Sequence, residues 1–327
     1  MSNHLCLGQL CLQRSNRKAI ELKKIVKYVG VLLSVLSMCF VVKSIICMNM
    51  DYSTIFNNRK LLVVFIVGIF ISVLLTYILA YAWVRFINYF SSIKVNFNMG
   101  INIYVKANLG KYLPGNVAHY IERNVFMNKY GVSHKNIIIG TVSEMGGLAI
   151  AAIITSCILS YKQILMIFEK LILDRINLLV VIVLCMIILS AFIIVFIKYF
   201  KGINILSYLV TLITNMLLYS IVFLLYGLLF LFLFWTFDKD IFNNVEICLQ
   251  LISVYMIAWV AGFCVPGAPG GIGVREYVIG LLLGGSKLFE IAMVVAVIHR
   301  LITVLGDVVS YFIAMVYLKL VYQHIHI

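Results

Sequence analysis

The sequence contains little charge and almost no proline. Only 12% of its 327 residues are charged and only three are proline, whereas hydrophobic residues make up 64%. The mean hydropathy is +1.09, while a soluble domain is closer to half apolar and a quarter charged. This composition argues against a soluble enzyme, a disordered chain or a secreted disulfide scaffold. It predicts an all-α, polytopic membrane helix bundle that leaves no room for a separate water-soluble catalytic domain.

Acidic residues are also scarce, because 12 Asp and Glu stand against 26 Lys and Arg and the net charge is +14. The basic residues are scattered through short loops between apolar runs, which is typical of the positive-inside pattern and of contact with anionic membrane lipids. No RNA-binding motif or contiguous basic face points to nucleic acid as a partner. The eight cysteines form no C-x-x-C pair, so we expect no disulfide framework, no zinc site and no cofactor.

Long apolar runs predict the membrane spans, since a helix that crosses the hydrocarbon core needs about 20 apolar residues. Two shorter segments, 101–130 and 265–285, are predicted to be interfacial or re-entrant. Seven long runs predict seven crossings, or eight if one of the two short segments also crosses. The seven long runs are 26–48, 61–84, 136–160, 176–198, 204–235, 246–264 and 287–319.

The domain organisation follows from these runs. We expect a single transmembrane domain over 26–320, preceded by a basic flank at 1–25 and followed by a short tail at 321–327. We do not expect the flank to be a cleavable signal peptide, because the apolar run after it is long and no small-residue cleavage site is evident.

The distribution of Lys and Arg predicts the orientation. The loops at 85–112 and 198–203 carry basic residues and no acid, whereas the loop at 236–246 carries three acids and one lysine. The positive-inside rule then places the N-terminus and the first two loops in the cytoplasm and the third loop outside. The predicted location is the plasma membrane.

All three prolines lie in the two short segments. The first reads G-K-Y-L-P-G-N-V-A-H-Y-I-E-R-N over 110–124 and contains Pro114, and the second reads V-P-G-A-P-G-G-I-G-V-R-E-Y over 265–277 and contains Pro266 and Pro269. Proline and glycine break helices, and irregular backbone at membrane depth survives only where it is buried in protein or lines a wet cavity. Two broken elements in corresponding halves predict a transporter substrate site, and two kinked loops with surface charges are the alternative.

An acid–base pair follows each interruption: Glu122 and Arg123 in the first, Arg275 and Glu276 in the second. A new helix start offers free N–H groups and a partial positive charge, and an arginine adds bidentate contacts, so each place can bind an anion such as phosphate. His119 and Glu122 also form an H-x-x-E pair, but one pair provides too few ligands for a metal site.

Ionisable residues also occur inside the predicted spans, where they are costly and usually paired or functional. Glu144 lies in the third run, and Arg300 and Asp307 lie in the seventh run, seven residues apart and therefore on one helix face. We expect Glu144 to face Arg300 or Arg275 across the bundle, in a cavity for a lipid headgroup or as a structural ion pair. The predicted substrate-binding residues, with no catalytic or metal-binding residue among them, are Pro114, Gly115, Asn116, Glu122, Arg123, Glu144, Pro269, Gly270, Gly271, Arg275, Glu276, Arg300 and Asp307.

Several motifs carry a family resemblance. With Y-L-P-G-N, the stretches K-Y-G-V-S at 129–133, S-E-M-G-G at 143–147, P-G-G-I-G-V-R-E at 269–276 and H-R-L-I-T at 299–303 resemble the lysylphosphatidylglycerol synthase transmembrane region family over most of the chain. The resemblance implies a bacterial or archaeal flippase that moves aminoacylated phospholipid between leaflets, or a stand-alone member that accompanies polysaccharide or glycolipid synthesis. The sequence ends at Ile327 without an aminoacyl-transferase domain, so lysyl transfer is not expected.

Three functions remain open from the sequence. The first is a non-enzymatic, flippase-like protein that translocates an anionic lipid, either a phospholipid or a lipid-linked glycan precursor; without a nucleotide-hydrolysis motif, transport is facilitated or coupled to an ion gradient. The second is a membrane scaffold that binds glycan-synthesis enzymes. The third is a membrane transferase, for which Asp238-Lys239-Asp240 has the D-x-D spelling of a metal-binding pair but is predicted to lie outside.

Overall fold

A computed structural model, with side chains as far as Tyr317, describes residues 58–113, 117–160, 204–264, 271, 273–283 and 288–325. Two of the seven predicted spans and the basic flank lie outside the described residues. So do five of the predicted site residues: Pro114, Gly115, Asn116, Pro269 and Gly270.

The described regular structure is helical throughout, which confirms the all-α prediction for this part of the chain. In chain order the helices are α1 (Arg59–Phe90), α2 (Phe97–Asn108), α3 (Ala118–Asn128), α4 (His134–Leu159), α5 (Ile205–Phe237), α6 (Val245–Cys264), α7 (Val274–Leu283) and α8 (Leu288–Ile325), with 3-10 turns at Leu109–Tyr112 and Lys239–Asn243. Helices α1, α4, α5, α6 and α8 are long and apolar enough to cross a membrane. They coincide with five of the predicted apolar runs, and α8 continues into the predicted tail.

Polar side chains at the helix starts explain where the long helices begin. Asn58 accepts hydrogen bonds from the backbone N–H groups of Lys60 and Leu61 at 3.1 and 3.2 Å, at the start of α1. Ser133 and Asn204 cap α4 and α5 in the same way. Because the first N–H groups of a helix have no partner within it, these caps fix helix ends that the apolar runs alone do not define.

Small residues allow the long helices to pack closely. Helix α1 packs along α8 and α5, and α4 packs against α1, α5 and α6. A methyl group at Gly227 on α5 would lie 2.6 Å from Cγ2 of Ile252 on α6, and one at Gly306 on α8 would overlap Ser72 on α1. Such close approach is the usual means by which helices associate in a membrane, where lipid is as apolar as the core.

Both interrupted segments form short helices that pack against the long ones. In the first segment, α2 contacts α1 and α8, and α3 contacts α2 and α4. In the second segment, α7 contacts α6 and α8. Both segments contact α8, and residues from both line one cavity, so the residues next to the two interruptions come to the same region of the bundle.

Candidate functional site

A partly enclosed cavity, with about 940 Å³ of empty space that includes the open solvent at its mouth, is lined by residues from both interrupted segments. Four cationic side chains, Lys111, Arg123, Arg275 and Arg300, line it together with one carboxylate, Glu144. Cations combined with aromatic rings suit an anionic group that is part of a larger organic ligand. The aromatic residues of the wall are Tyr104, Tyr112, Tyr120, Tyr226, Tyr255, Trp259 and Phe263.

Arg123 and Glu144 form a buried ion pair on one side of the cavity. Nη1 of Arg123 on α3 lies 3.1 Å from Oε2 of Glu144 on α4, and the two side chains are only 3% and 2% exposed. The prediction that Glu144 faces Arg300 or Arg275 is therefore wrong. Its partner is Arg123, because α3 packs directly against α4.

Aromatic rings hold the Arg123 guanidinium in place. Its central carbon lies 3.4 Å from the ring centroid of Tyr104 and 5.7 Å from those of Trp83 and Tyr120. The Trp83 ring is itself oriented, since its Nε1–H donates to Oγ1 of Thr141 at 3.1 Å. A desolvated guanidinium over an aromatic face is stabilised by cation–π attraction, so Arg123 is a fixed part of the wall.

Asp307 lies just behind the cavity wall and accepts hydrogen bonds from four side chains. Nζ of Lys111 lies 2.5 Å from Oδ2 of Asp307, Nδ2 of Asn108 donates to Oδ1 at 2.7 Å and Oγ1 of Thr76 donates to Oδ1 at 3.3 Å. The Tyr112 hydroxyl also donates to Oδ2. Burial lowers the pKa of Lys111, and the negative charge of Asp307 acts in the opposite direction. Asp307 thus neutralises Lys111 and ties the first interrupted segment to α8.

Asn108 links the two ion pairs. Its Nδ2 donates to Asp307, and its Oδ1 accepts from Nη2 of Arg123 at 3.4 Å. An amide can donate and accept at once, so the charges at both ends fix its orientation. Within this linked group the charges cancel, because Lys111 is paired with Asp307 and Arg123 with Glu144.

Arg275 and Arg300 are the other two cations of the site. Both line the main cavity and a smaller adjoining one. Burial, and next the positive charge of Arg300, lowers the pKa of Arg275 to about 10. Nε of Arg275 has no hydrogen-bond partner among the described residues, and its guanidinium carbon lies 5.7 Å from the ring centroid of Trp259. Two neighbouring guanidinium groups repel each other, and the carboxylate of Glu276 beside them acts in the opposite direction on Arg275.

The start of α7 positions Arg275. Oε2 of Glu276 accepts a hydrogen bond from the backbone N–H of Gly273 at 2.6 Å, which is the acidic half of a capping box. Glu276 thus caps the helix that carries Arg275. Gly271 has φ of +78°, which glycine adopts readily, and a Cβ there would lie 2.9 Å from Cα of Gly262 on α6. The two backbones therefore touch directly.

The predicted pair of His119 and Glu122 does not converge on one point. His119 lines the cavity, and its Nδ1 has no hydrogen-bond partner in the part of the chain that is described. Burial, followed by the charges of Arg123 and Lys111, lowers the pKa of His119 to about 2, so its ring is neutral. Glu122 is half-buried and lies outside the cavity lining. Among the described residues, no three His, Cys, Asp or Glu side chains are grouped as metal ligands.

The structure brings together Arg123, Glu144, Arg275 and Arg300 of the predicted residues, and it places Asp307 directly behind them. Six residues of the site were not predicted from the sequence. Two of them, Lys111 and Tyr112, lie in the G-K-Y-L-P-G stretch, which was already recognised as a helix interruption. No sequence pattern singles out the others. The residues that sequence reasoning missed are Thr76, Tyr104, Asn108, Lys111, Tyr112 and Trp259.

The chain was compared with known families and proteins. No protein-family model matches it, and no curated protein or solved structure matches it. The resemblance carried by the motifs therefore stays a prediction, and function is argued from the geometry of the site.

Proposed function

We propose that this chain is a flippase-like membrane protein that moves an anionic lipid, either a phospholipid or a lipid-linked glycan precursor, between the two leaflets. The observation that carries the proposal is the cavity in which Lys111, Arg123, Arg275 and Arg300 meet inside a bundle of long apolar helices. Ionisable groups at membrane depth usually mark a substrate path. The motif resemblance to flippase-type proteins supports the same reading.

The balance of charge in the site supports a phosphate group as the ligand. The two ion pairs, Lys111 with Asp307 and Arg123 with Glu144, are internally neutral. The adjoining cavity brings the guanidinium groups of Arg275 and Arg300 together with the carboxylate of Glu276. A phosphate can accept hydrogen bonds from two guanidinium groups at once and remove their repulsion.

The proposed topology follows from the sequence. We infer seven or eight crossings of the plasma membrane with a cytoplasmic N-terminus, as the positive-inside distribution predicts. The lipid tails stay in the hydrocarbon while the headgroup passes through the cavity. Movement is facilitated, or coupled to an ion gradient through a buried acid of the site.

The test is transport of fluorescent phosphatidylglycerol in proteoliposomes, followed as loss of signal when a reductant bleaches only the outer leaflet. We expect Arg275→Ala to slow transport by roughly tenfold or more, because hydrogen bonds to a charged group are worth about 1.5–3 kcal/mol. Arg59→Ala is the matched control, since Arg59 is exposed at the start of α1. Equal rates in wild type, Arg275→Ala and protein-free liposomes would refute transport of this lipid class.

The same assay separates the proposal from the scaffold alternative. A scaffold for glycan-synthesis enzymes tolerates changes in the cavity and depends on its cytoplasmic loops. Mass spectrometry of lipids retained after mild purification gives a second readout. Enrichment of one anionic lipid in wild type, lost in Arg275→Ala, supports the headgroup site, whereas equal bulk lipid in both favours the scaffold.

A further inference from the structure

An apolar groove, with about 730 Å³ of empty space that includes the open space at its mouth, lies on the outer side of α3 and α4. Its wall is almost entirely hydrocarbon, and its few polar groups include Thr141, whose hydroxyl already accepts the Trp83 N–H. A groove of this character binds hydrocarbon rather than a charged group. Its main apolar lining residues are Ile121, Val125, Ile138, Val142 and Met145.

Helix α3 separates this groove from the polar cavity. Its inner face buries His119, Arg123 and Met127, at four-residue spacing. Its outer face exposes Ile121 and Val125, which are 59% and 47% accessible. One short helix thus presents its charged residue to the cavity and its branched apolar residues to the groove, as an amphipathic helix does.

Tyr120 is the shared wall between the two spaces, since it lines both the cavity and the groove. Its ring centroid lies 3.7 Å from that of His119 and 5.7 Å from the guanidinium carbon of Arg123. On its other side begin the apolar residues of the groove. A single aromatic ring therefore separates a charged compartment from a hydrocarbon compartment.

We propose that the groove binds one hydrocarbon chain of the same lipid whose phosphate occupies the cavity, and that Tyr120 is the partition across which the lipid is held. This inference rests on the proposed function. The occupant is a lipid chain because the groove and the polar site meet at the Tyr120 ring, and because an amphiphile alone satisfies both compartments together. The chain then lies between α3 and α4 while the headgroup reaches Arg275.

Quenching of an introduced tryptophan by brominated lipid tests this binding. Ile138→Trp places the reporter in the groove, and Ile154→Trp is the matched control on the lipid-facing side of the same helix. The two isoleucines are similarly exposed, since Ile138 is 55% and Ile154 is 46% accessible. At 1.5 Å per residue they lie about 13 and 11 Å from the middle of α4, toward opposite ends. The protein without an introduced tryptophan supplies the background signal.

Each variant, in dodecyl maltoside micelles, is titrated with phosphatidylglycerol that carries brominated acyl chains. We expect half-maximal quenching of Ile138→Trp at a lipid fraction roughly tenfold lower than for Ile154→Trp, which corresponds to about 1.4 kcal/mol of selective binding. Adding Arg275→Ala should abolish this difference, whereas adding Arg59→Ala should leave it intact.

Two results would overturn the proposal. Equal titration curves for the two reporters would make the groove an ordinary lipid-facing surface. A difference that survives Arg275→Ala would mean that the chain binds without any link to the headgroup site. Because the titration measures binding alone, selective quenching together with no transport above empty liposomes would refute the flippase and leave the lipid site standing.

Discussion

Replacing Glu144 by leucine removes the negative half of the buried pair while keeping a side chain of similar volume. Arg123 is then left charged in a position where it is only 3% exposed. Its nearest remaining contacts are the Tyr104 ring at 3.4 Å and a hydrogen bond of 3.4 Å to Asn108. Neither contact supplies a counter-charge.

The expected cost follows from this geometry. Removing one partner of a buried ion pair destabilises a protein by about 3–5 kcal/mol, because the other charge stays buried without compensation. Replacing both partners by apolar residues of similar volume is often close to neutral. Glu144→Leu should therefore be far more damaging than the double change Arg123→Met with Glu144→Leu.

The assay is reversible unfolding in mixed dodecyl maltoside and SDS micelles, followed by circular dichroism for the wild type, both single variants and the double variant. A double-mutant cycle then isolates the energy of the pair. We expect a coupling energy of about 3 kcal/mol. This is the lower end of the range for a buried pair, because Arg123→Met also removes the stacking of Arg123 on Tyr104.

Additive effects of the two single changes would refute this reasoning. So would a loss below about 1 kcal/mol for Glu144→Leu, which is the range of an exposed pair. Either result would mean that water reaches Arg123 in the native protein.

Three further predictions concern the same site. Asp307→Asn should lower the free energy of unfolding by about 2 kcal/mol, since Lys111 loses a charged hydrogen bond; adding Lys111→Met should recover most of the loss in the same micelle assay, and no recovery would contradict the pairing. Gly262→Ala should slow lipid transport as strongly as Arg275→Ala, because the added Cβ would lie 2.7 Å from Cγ of Arg275; unchanged transport would show that the arginine position is unimportant. The pKa of His119 is lowered to about 2 in the folded protein, so only the unfolded chain takes up this proton between about pH 6.5 and 2. Stability should therefore fall as the pH drops below about 6.5, by up to about 1.4 kcal/mol per pH unit, and His119→Gln should flatten this slope in unfolding measured at pH 4 to 7.

Much of the helical framework could be predicted from the sequence. The runs at 136–160 and 246–264 coincide with α4 and α6 to within two residues, because a span requires a continuous stretch of apolar residues. The burial of Glu144 and Asp307 was also predictable, since a charged side chain near the middle of such a run is costly in lipid and faces the interior of the bundle.

The pairing of charges could not be predicted in the same way. Glu144 had several arginines as possible partners, and periodicity gives the face of a helix but not which neighbour lies opposite. The choice of Arg123 depends on α3 folding back against α4. Likewise, the four donors around Asp307 come from three elements, so only the tertiary arrangement reveals Thr76 and Asn108 as its partners.

The contact between Gly262 and Gly271 brings the end of α6 directly against the backbone that precedes α7. Among the described residues, the side chain that lies against both glycines is that of Arg275. Arg275 stands four residues after Gly271, so the position of its charge depends on how these two segments pack. We therefore expect a change in the tilt of α6, such as a thinner or thicker bilayer imposes, to displace positive charge inside the protein.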